Sequence, residues 1–319
     1  MAVYTEVTDE ALTQFLALYN IGSLTAFRGI AEGVENSNYA VKTSEGDFIL
    51  TLYEKRVNKE DLPYFLGLME HLRTKGLPCP LPVRAMDGRN LQELSGRMAA
   101  MTTFLPGVWP RQIRQEHCEP LGAALARLHL AGEGFGMIRR NGLGPDAWPA
   151  LLEKSLPEAD NVLAGLGREL QGWMTEILAA WPQGLPMGQI HADLFPDNVF
   201  FLNGEISGII DFYFACTEVL AYDIAICLNS WCFENHSELN VTRSKALLRG
   251  YQSVRPLSSA EMEALPVLAR GAAMRFLVTR LYDWLHTPPG AFVTPKDPLD
   301  YYRRLRFHFA VSGASAYGL

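Results

Sequence analysis

An Asn-Gly pair, Asn203-Gly204, separates two short apolar runs, Val199–Leu202 (VFFL) and residues 205–211 (EISGIID). Asn-Gly between such runs is the strongest short-range signal for a β-hairpin, because both residues accept the positive φ of a tight turn. A hairpin folds the chain straight back on itself. We therefore expect Asp211 to return to the end of the ribbon at which residues 191–198 lie.

The segment before this hairpin, residues 190–198, reads IHADLFPDN and contains the spacing H-x-D-x-x-x-x-N. Transfer of a phosphoryl group to a hydroxyl needs an acceptor for the hydroxyl proton, and Asp193 can supply it. The amide oxygen of Asn198 and the carboxylate of Asp211 are the kind of ligand that Mg²⁺ prefers. The alternative is that residues 190–198 are an ordinary polar turn. It would explain the loop, but it would not explain why a hairpin that ends in an aspartate follows it.

Two further polar residues flank this pattern. His191 is expected to brace the loop through backbone hydrogen bonds, and direct contact with a substrate is the alternative. Asp223 stands in the stretch YDIA, where an apolar helix begins. It is either an N-cap or an acceptor that fixes the backbone of the loop, and these two roles are compatible.

The first hundred residues carry the signals of a small antiparallel sheet with one crossing helix. A first helix opens at Thr8 or Asp9 and ends at Gly22. The further elements are strands at 38–43 and 47–53 around a three-residue turn, a helix at 58–74, a hairpin turn at Asp87-Gly88 and a strand at 97–104.

Helical patterns dominate after Pro106-Gly107. They cover roughly residues 116–131, 146–182, 218–235, 240–253, 258–285 and 297–312, and residues 199–211 are the only β-like insert. The sequence therefore predicts an α+β architecture with a β-rich domain at residues 1–105 and a mainly helical domain at residues 106–319.

Composition excludes several classes of protein. A net charge of −7 with scattered arginines does not suit a nucleic-acid binder. No apolar run approaches the about 18 residues of a membrane span. The five cysteines include no CxxC pair, so reduced thiols and a cytoplasmic location are expected. Nothing indicates an oligomeric state.

At these residues the chain resembles the aminoglycoside phosphotransferase and choline kinase superfamily, which has a protein-kinase-like two-lobed fold. The resemblance runs through IHADLFPDNVFF, IIDF and YDIA, and it extends to VENSNY, FILTLYEKR and LGAALARLH. Within the superfamily the chain is similar to the bacterial homoserine kinase family. This implies phosphorylation of the L-homoserine hydroxyl with ATP and Mg²⁺, and therefore a small-molecule substrate as a partner.

The resemblance also implies residue roles. Asp193 is the catalytic base, and Asn198 and Asp211 are metal ligands. The segment 33–38 covers the nucleotide, and residues 101–105 hold adenine. The implied nucleotide-binding residues are Gly33, Asn36, Ser37, Asn38, Thr51, Thr103 and Leu105.

The chain departs from the family pattern at Thr51, where relatives place a lysine that holds the α- and β-phosphates. Thr51 can donate a hydrogen bond but carries no charge. Lys42, Lys55 or Arg56 could take the place of that lysine, although Lys55 and Arg56 also suit a solvated strand end. The missing lysine leaves a non-catalytic pseudokinase as an alternative.

An amino-acid substrate needs a cation for its carboxylate and an anion for its ammonium group. Arg275, Arg280 and Asp283 in the helix at 258–285 are the candidates, although Arg280 and Asp283 could simply pair. Residues 301–304 (YYRR) are expected to pack a terminal helix with both arginines in solvent. Kinases for choline, ethanolamine or an aminoglycoside are the alternatives in substrate.

Overall fold

The computed structural model describes residues 5–30, 36–54, 57–235, 237–288 and 294–319. The chain divides into two units. The first comprises Met1–Gly107 together with Ser207–Tyr213, and the second comprises Val108–Ile206 together with Phe214–Leu319. The first unit thus includes Ser207–Tyr213, which follows the Asn203-Gly204 turn in the sequence.

The first unit is built on one antiparallel sheet with strand order β1-β2-β3-β5-β4. This confirms the small sheet and the crossing helix that the sequence predicted. The strand β1 was missed, because it lies at the edge and its burial does not alternate. The elements up to Gly107 are α1 (Asp9–Leu16), β1 (Leu24–Ile30), β2 (Ser37–Thr43), β3 (Gly46–Leu52), α2 (Leu62–Thr74), β4 (Gln92–Leu94) and β5 (Arg97–Thr103).

The helix α1 begins as predicted, because the Thr8 hydroxyl accepts a hydrogen bond from the Ala11 amide. It ends at Leu16, however, and not at Gly22. Tyr19 is buried in the turns that follow. The apolar spacing therefore continues past the helix, which is why the sequence placed the end too late.

Two turns differ from the prediction. Ser44 and Glu45 form a two-residue turn, since Gly46 already pairs with Thr43. The turn at residues 87–88 does not join two strands. The hairpin of β4 and β5 instead turns at Ser95-Gly96, where both φ angles are positive (52° and 73°), as a two-residue hairpin loop requires.

The sheet has an apolar face and a mixed face. Tyr39, Leu50 and Met101 occupy neighbouring positions on adjacent strands and join one buried cluster with Leu12 and Phe15 of α1. Because side chains alternate along a strand, the next positions in each strand point to the opposite face. That face carries Asn38 and Thr51, two of the residues predicted to approach the nucleotide.

The second unit is mainly helical, and its core surrounds the 28-residue helix α8 (Ser259–His286). Residues of α8 are buried on all sides between Leu265 and Leu281, so no single apolar stripe marks it in the sequence. The elements are α3 (Gln115–Ala131), α4 (Trp148–Val162), α5 (Leu166–Ala179), β6 (Met187–Ile190), β7 (Val199–Leu202), β8 (Glu205–Ile209, which runs into the first unit), β9 (Cys216–Val219), α6 (Leu220–Trp231), β10 (Phe233–Glu234), β11 (Glu238–Leu239), α7 (Val241–Gln252), α8 (Ser259–His286) and α9 (Leu299–Ala310).

The predicted hairpin is confirmed, since β7 and β8 pair around Asn203-Gly204, both with positive φ. The predicted helix at 146–182 is wrong as a single element, because Gly165 (φ 81°) separates α4 from α5. The β-like insert is not alone either. The strand β6 pairs with β9, and four residues in each are too few for a visible alternation.

All five cysteines are buried and free. Burial raises the pKa of Cys79 and of Cys216 to about 12. Within the ranges that the structure describes, no helix combines the length and the apolar character that crossing a bilayer requires.

Candidate active site

The loop between β6 and β7 carries the predicted base. It starts at His191, passes through Ala192 in a left-handed conformation (φ 63°) and ends in a 3₁₀ turn at Pro196–Asn198. A non-glycine residue with positive φ is uncommon and is kept only where its surroundings enforce it. The side chain of Asp193, which follows directly, is partly exposed at 19%.

Asp223 of α6 holds the backbone of this loop. Its Oδ2 accepts a hydrogen bond from the His191 amide (2.8 Å), and its Oδ1 accepts one from the Ala192 amide (3.0 Å). The prediction that Asp223 fixes the loop is therefore confirmed. The N-cap alternative is wrong, because α6 begins three residues earlier, at Leu220.

A buried histidine supports Asp223 from behind. The Nε2 atom of His129 in α3 lies 3.2 Å from Asp223 Oδ2, and its Nδ1 lies 2.7 Å from the hydroxyl oxygen of Tyr251. Burial alone would raise the pKa of Asp223, but the hydrogen bond and charge of His129 and the contributions of His191 lower it. The carboxylate is thus held in its charged form.

His191 is completely buried and lies inside the loop. Its Nδ1 accepts a hydrogen bond from the Asp193 amide at 3.2 Å. Together with the bond from its own amide to Asp223, this contact matches the bracing role that the sequence predicted. The ring fixes the backbone on which Asp193 stands.

Asn198 closes the loop on itself. Its Nδ2 donates to the Asp193 carbonyl oxygen at 2.8 Å, and the side chain is largely buried. This bond fixes the amide orientation, so Oδ1 is the atom that Asn198 can present to a ligand. Asp193 and Asn198 are thereby brought together on one short segment, as the spacing predicted.

Arg275 of α8 reaches the same loop from the core. Its guanidinium donates to the Ala192 carbonyl oxygen, and Nη2 lies 4.0 Å from Asp193 Oδ1. Only 2% of the side chain is exposed. Its Cζ lies 4.5 Å from the centroid of the Phe276 ring. Arg275 therefore holds the strained residue and places a cation beside the carboxylate of Asp193.

In the first unit, Asp211 follows β8 with a positive φ of 65°. Partial enclosure and the charge of Asp211 raise the pKa of Tyr213 to about 12, against the opposing hydrogen bonds of Tyr53 and Thr51. The Tyr213 hydroxyl thus responds both to the charge of Asp211 and to a hydrogen bond with Thr51. No sequence pattern predicted a role for Tyr213, because its contact with Tyr53 spans 160 residues of the chain.

Thr51 and Asn38 pair across β3 and β2, and the Thr51 hydroxyl donates to Asn38 Oδ1 at 2.8 Å. Lys42 does not reach them. Lys42 lies opposite Asp47 of β3 in the strand pairing. It is four residues further along β2 than Asn38, which separates the two backbone positions by about 13 Å at 3.3 Å per residue. The other two candidates for the lysine, residues 55 and 56, lie outside the described residues.

The start of β2 is tied to Glu54. Ser37 Oγ donates to Glu54 Oε1 at 2.8 Å, and Asn36 Oδ1 accepts from the Glu54 amide at 3.2 Å. The side chains of Asn36 and Ser37 are both buried. Their hydrogen bonds to Glu54 fix the backbone at the start of β2. Gly33 lies outside the described residues.

The segment predicted to hold adenine lies at the end of β5. The Thr103 hydroxyl accepts from the Leu81 amide at 3.0 Å, and the Thr103 amide donates to the Leu81 carbonyl. Leu105 is buried. These contacts fix the backbone that follows the sheet.

On the substrate side, Arg280 of α8 is half-buried and donates to the Asp297 carbonyl oxygen at 3.4 Å. Asp283 lies one turn further along the same helix and is partly buried. The prediction of two solvated arginines at residues 303 and 304 is wrong for Arg304. Its Nη1 donates to the Asn229 carbonyl oxygen at 2.6 Å, and its Nε is enclosed.

Tyr301 and Arg304 are the residues that the sequence interpretation missed on this side. Tyr301, Leu305 and His308 are buried at helical spacing in α9. Arg304 stands on the same face, three residues after Tyr301. That spacing was the available signal, and the neighbouring charged residues obscured it.

Three comparisons with known proteins agree with this geometry. A sequence profile of the phosphotransferase enzyme family matches residues 26–257. The homoserine kinase of Acidiphilium cryptum is 66% identical over the full length of both chains. The homoserine kinase of Gluconacetobacter diazotrophicus is 64% identical, again over 100% of each chain.

A solved amicoumacin kinase, in complex with AMP-PNP and Ca²⁺, superimposes with a TM-score of 0.74. The sequence identity is 16%, and the match covers 97% of this chain and 95% of the other. At this identity the similarity concerns the fold alone. It confirms the protein-kinase-like α+β fold that the sequence predicted.

Proposed function

This chain belongs to the phosphotransferase enzyme family and, within it, to the homoserine kinases, and we propose that Asp193 is the base with which it phosphorylates the side-chain hydroxyl of L-homoserine. The hydroxyl oxygen attacks the γ-phosphorus of ATP while Asp193 accepts the hydroxyl proton. The bond from the γ-phosphorus to the oxygen that bridges it to the β-phosphate breaks, and ADP leaves with that electron pair. The products are O-phospho-L-homoserine, ADP and a proton.

The observation that carries this assignment is the way in which the loop of Asp193 is held. Asp223 accepts hydrogen bonds from the amides of His191 and Ala192. Arg275 donates to the carbonyl oxygen of Ala192, the residue that precedes the base. Phosphoryl transfer depends mainly on positioning and electrostatics. A carboxylate on a fixed backbone, partly exposed and backed by a buried cation, suits the role of base.

Asn198 and Asp211 are the proposed ligands of Mg²⁺. The donor set fits this ion, because it combines an amide oxygen of fixed orientation with a carboxylate. Neutralisation of phosphate charge is the chemistry that the ion supplies when bound. No three His, Cys, Asp or Glu side chains gather into a metal cluster within the described ranges.

The nucleotide is proposed to bind the β-rich domain, residues 1–105, and the substrate and catalytic residues to belong to residues 106–319. Asn38 and Thr51 lie on the sheet face opposite the apolar core, where Asn38 is partly exposed and the buried Thr51 is hydrogen-bonded to it. The pKa of Tyr213 responds to both Thr51 and Asp211. Gly33, Asn36, Ser37, Thr103 and Leu105 complete the proposed nucleotide-binding set.

The proposed substrate residues are Arg280 and Asp283 on α8, for the carboxylate and the ammonium of the amino acid. Arg275, also a candidate from the sequence, is better suited to holding the loop, because its side chain is 2% exposed and bound to Ala192. A cytoplasmic location agrees with five free thiols and with a soluble substrate pair.

A coupled ADP-release assay tests the function. L-Homoserine is compared with choline, ethanolamine, L-serine and L-threonine at equal concentration, with ATP and Mg²⁺ present. A marked preference for L-homoserine is expected, and preference for any other acceptor contradicts the substrate assignment. Formation of O-phospho-L-homoserine is followed by ³¹P NMR, so that ATP hydrolysis is not counted as transfer.

Asp193→Asn tests the base. Loss of general-base catalysis should lower kcat about 10²- to 10⁴-fold with little change in KM. Asp197→Asn is the matched control, because Asp197 is an exposed carboxylate on the same loop. Equal rates for Asp193→Asn and wild type would refute the assignment of the base. A wild-type protein that transfers no phosphate to any of the acceptors would favour a pseudokinase.

A further inference from the structure

We propose that Arg280, Arg304 and the hydroxyl of Tyr301 form the site that binds the α-carboxylate of the amino-acid substrate. The inference rests on the proposed function, since it concerns the same acceptor molecule. It goes further by naming the group that is bound, the α-carboxylate, and two residues of α9 that bind it, Tyr301 and Arg304. The site lies within the second unit.

Both arginines have donors to spare. Arg280 makes one hydrogen bond within the described chain, from Nη1 to the Asp297 carbonyl oxygen, and an ion pair with Asp300 at 3.6 Å. Arg304 makes one hydrogen bond, from Nη1 to the Asn229 carbonyl oxygen, and its buried Nε has no acceptor among the described residues. A guanidinium offers five N–H groups in a fork that matches a carboxylate.

The ring of Tyr301 holds these two guanidinium groups near each other. The Cζ atom of Arg280 lies 4.5 Å from the ring centroid, and that of Arg304 lies 4.6 Å from it. Tyr301 is completely buried, and its hydroxyl lacks a partner in the described part of the chain. A buried hydroxyl without a partner is costly, so an unpaired one indicates a missing acceptor.

The charge balance favours an anion as that acceptor. Burial lowers the pKa of Arg280, and the charge of Arg304 adds to this effect. Together they outweigh Tyr301, Asp300 and Asp297, which act in the opposite direction. Burial and the neighbouring cation thus disfavour the charged form of Arg280, and a bound anion would oppose both effects. Water could satisfy a single donor, but it would not neutralise two neighbouring cations.

Aromatic contacts link Tyr301 with the catalytic loop. The Tyr301 ring lies 5.1 Å from that of Phe276, which lies 5.0 Å from that of Phe195 in the catalytic loop. The charge of Asp193 acts on the Tyr301 hydroxyl. In L-homoserine, four bonds separate the reacting hydroxyl oxygen from the carboxylate carbon, roughly 5 Å when extended. A bound L-homoserine would span about this distance between the carboxylate site and the hydroxyl oxygen beside Asp193.

Substrates with and without the carboxylate provide the test. 3-Aminopropan-1-ol keeps the hydroxyl and the amine of L-homoserine but lacks the carboxylate. For Arg280→Gln and Arg304→Gln, KM for L-homoserine should rise about 10- to 100-fold, as expected for loss of a charged hydrogen bond. Tyr301→Phe should give a smaller rise in the same direction. kcat at saturation, and KM for 3-aminopropan-1-ol, should stay within about twofold of wild type.

Calorimetry measures the dissociation constants of L-homoserine and 3-aminopropan-1-ol. A non-hydrolysable ATP analogue is present, so that the acceptor binds without being phosphorylated. Arg306→Gln is the matched control, since it removes an exposed arginine from the same helix. Thermal unfolding of each variant separates misfolding from loss of the site. Arg280→Lys keeps the charge and should restore part of the affinity.

The outcomes distinguish this inference from the function itself. If wild type binds both compounds equally, or if the variants weaken both to the same extent, the carboxylate site is wrong while the kinase assignment stands. If wild type transfers no phosphate to L-homoserine, the proposed function fails first. A collapse of the preference for L-homoserine in Arg280→Gln and Arg304→Gln, but not in Arg306→Gln, supports the inference.

Discussion

The guanidinium of Arg275 lies 4.0 Å from the carboxylate of Asp193 and donates to the carbonyl oxygen of Ala192, the residue just before it. One buried cation thus contacts both the base and the strained backbone that positions the base. Arg275 is 83 residues from Ala192 along the chain. The long helix α8 therefore determines the geometry of a loop that the sequence presents as a local motif.

Replacement of Arg275 should impair catalysis more than binding. Arg275→Met keeps the packing on Phe276 but removes the donor to Ala192. We expect kcat to fall on the order of 10²-fold, as a displacement of about 1 Å does in a preorganised site, while KM for L-homoserine changes little. Arg270→Met, which removes a guanidinium elsewhere on α8, is the control. A rise in KM with normal kcat would show instead that Arg275 contacts substrate.

Asp223→Asn should destabilise the fold and slow the reaction together. One oxygen becomes an NH₂ group, which cannot accept from the amide of His191 or Ala192, and His129 loses its anionic partner. Breaking a buried charged pair costs about 3–5 kcal/mol. Urea unfolding and kcat at saturating substrate measure the two effects. Asp146→Asn, at an exposed ion pair with Arg140, should change unfolding by under about 1 kcal/mol.

The parts of the site that sequence could predict are those encoded locally. The loop of residues 190–198, the turn at Asn203-Gly204 and the acceptor role of Asp223 each have a signal within a few residues. Tyr213, Arg275 and Arg304 act through contacts across 70 or more residues of chain, and no pattern in one sequence reports such distances. The strands β6 and β9 were missed for a different reason. Each has only four residues, which is too short to show an alternation of apolar and polar positions.

The buried imidazole of His308 makes stability depend on pH. Nδ2 of Asn229 donates to two carbonyl oxygens, so its Oδ1 faces His308 and must accept from Nε2–H at 3.1 Å. Nδ1 then accepts from the Tyr317 hydroxyl at 2.8 Å. The ring is therefore neutral in the folded state. Burial, followed by the charges of Arg304 and Arg270, lowers its pKa to about 3.

The direction of the pH effect follows from that pKa. Above about pH 6.5, the ordinary value for histidine, neither the folded nor the unfolded state binds the proton. As the pH falls from there towards 3, the unfolded state binds a proton that the folded state does not, and stability decreases by up to about 1.4 kcal/mol per pH unit. Urea unfolding at pH 7.5, 6.0 and 5.0 should show this slope in wild type and a shallower one in His308→Gln. His286→Gln, at an exposed histidine, should keep the wild-type slope.

The crossing of α3 and α7 offers a test that links packing to the catalytic loop. A Cβ atom on Gly122 would overlap the Leu247 carbonyl oxygen and lie 2.7 Å from the Tyr251 amide nitrogen, and one on Gly250 would overlap the Glu119 carbonyl. Gly122→Ala should therefore force the helices apart and cost about 1–3 kcal/mol. Gly172→Ala, in α5 with open space around it, should instead stabilise by about 0.5–1 kcal/mol.

The same change should also reach the active site. His129 of α3 and Tyr251 of α7 are joined by a 2.7 Å hydrogen bond, and His129 supports Asp223. If Gly122→Ala separates the helices, this bond lengthens and the hold on the loop weakens, so kcat should fall at a temperature where the variant is fully folded. Hydrogen exchange at the His191 and Ala192 amides, which Asp223 protects, should become faster in parallel. Destabilisation with unchanged kcat and unchanged amide exchange would mean that the helix crossing serves the fold alone.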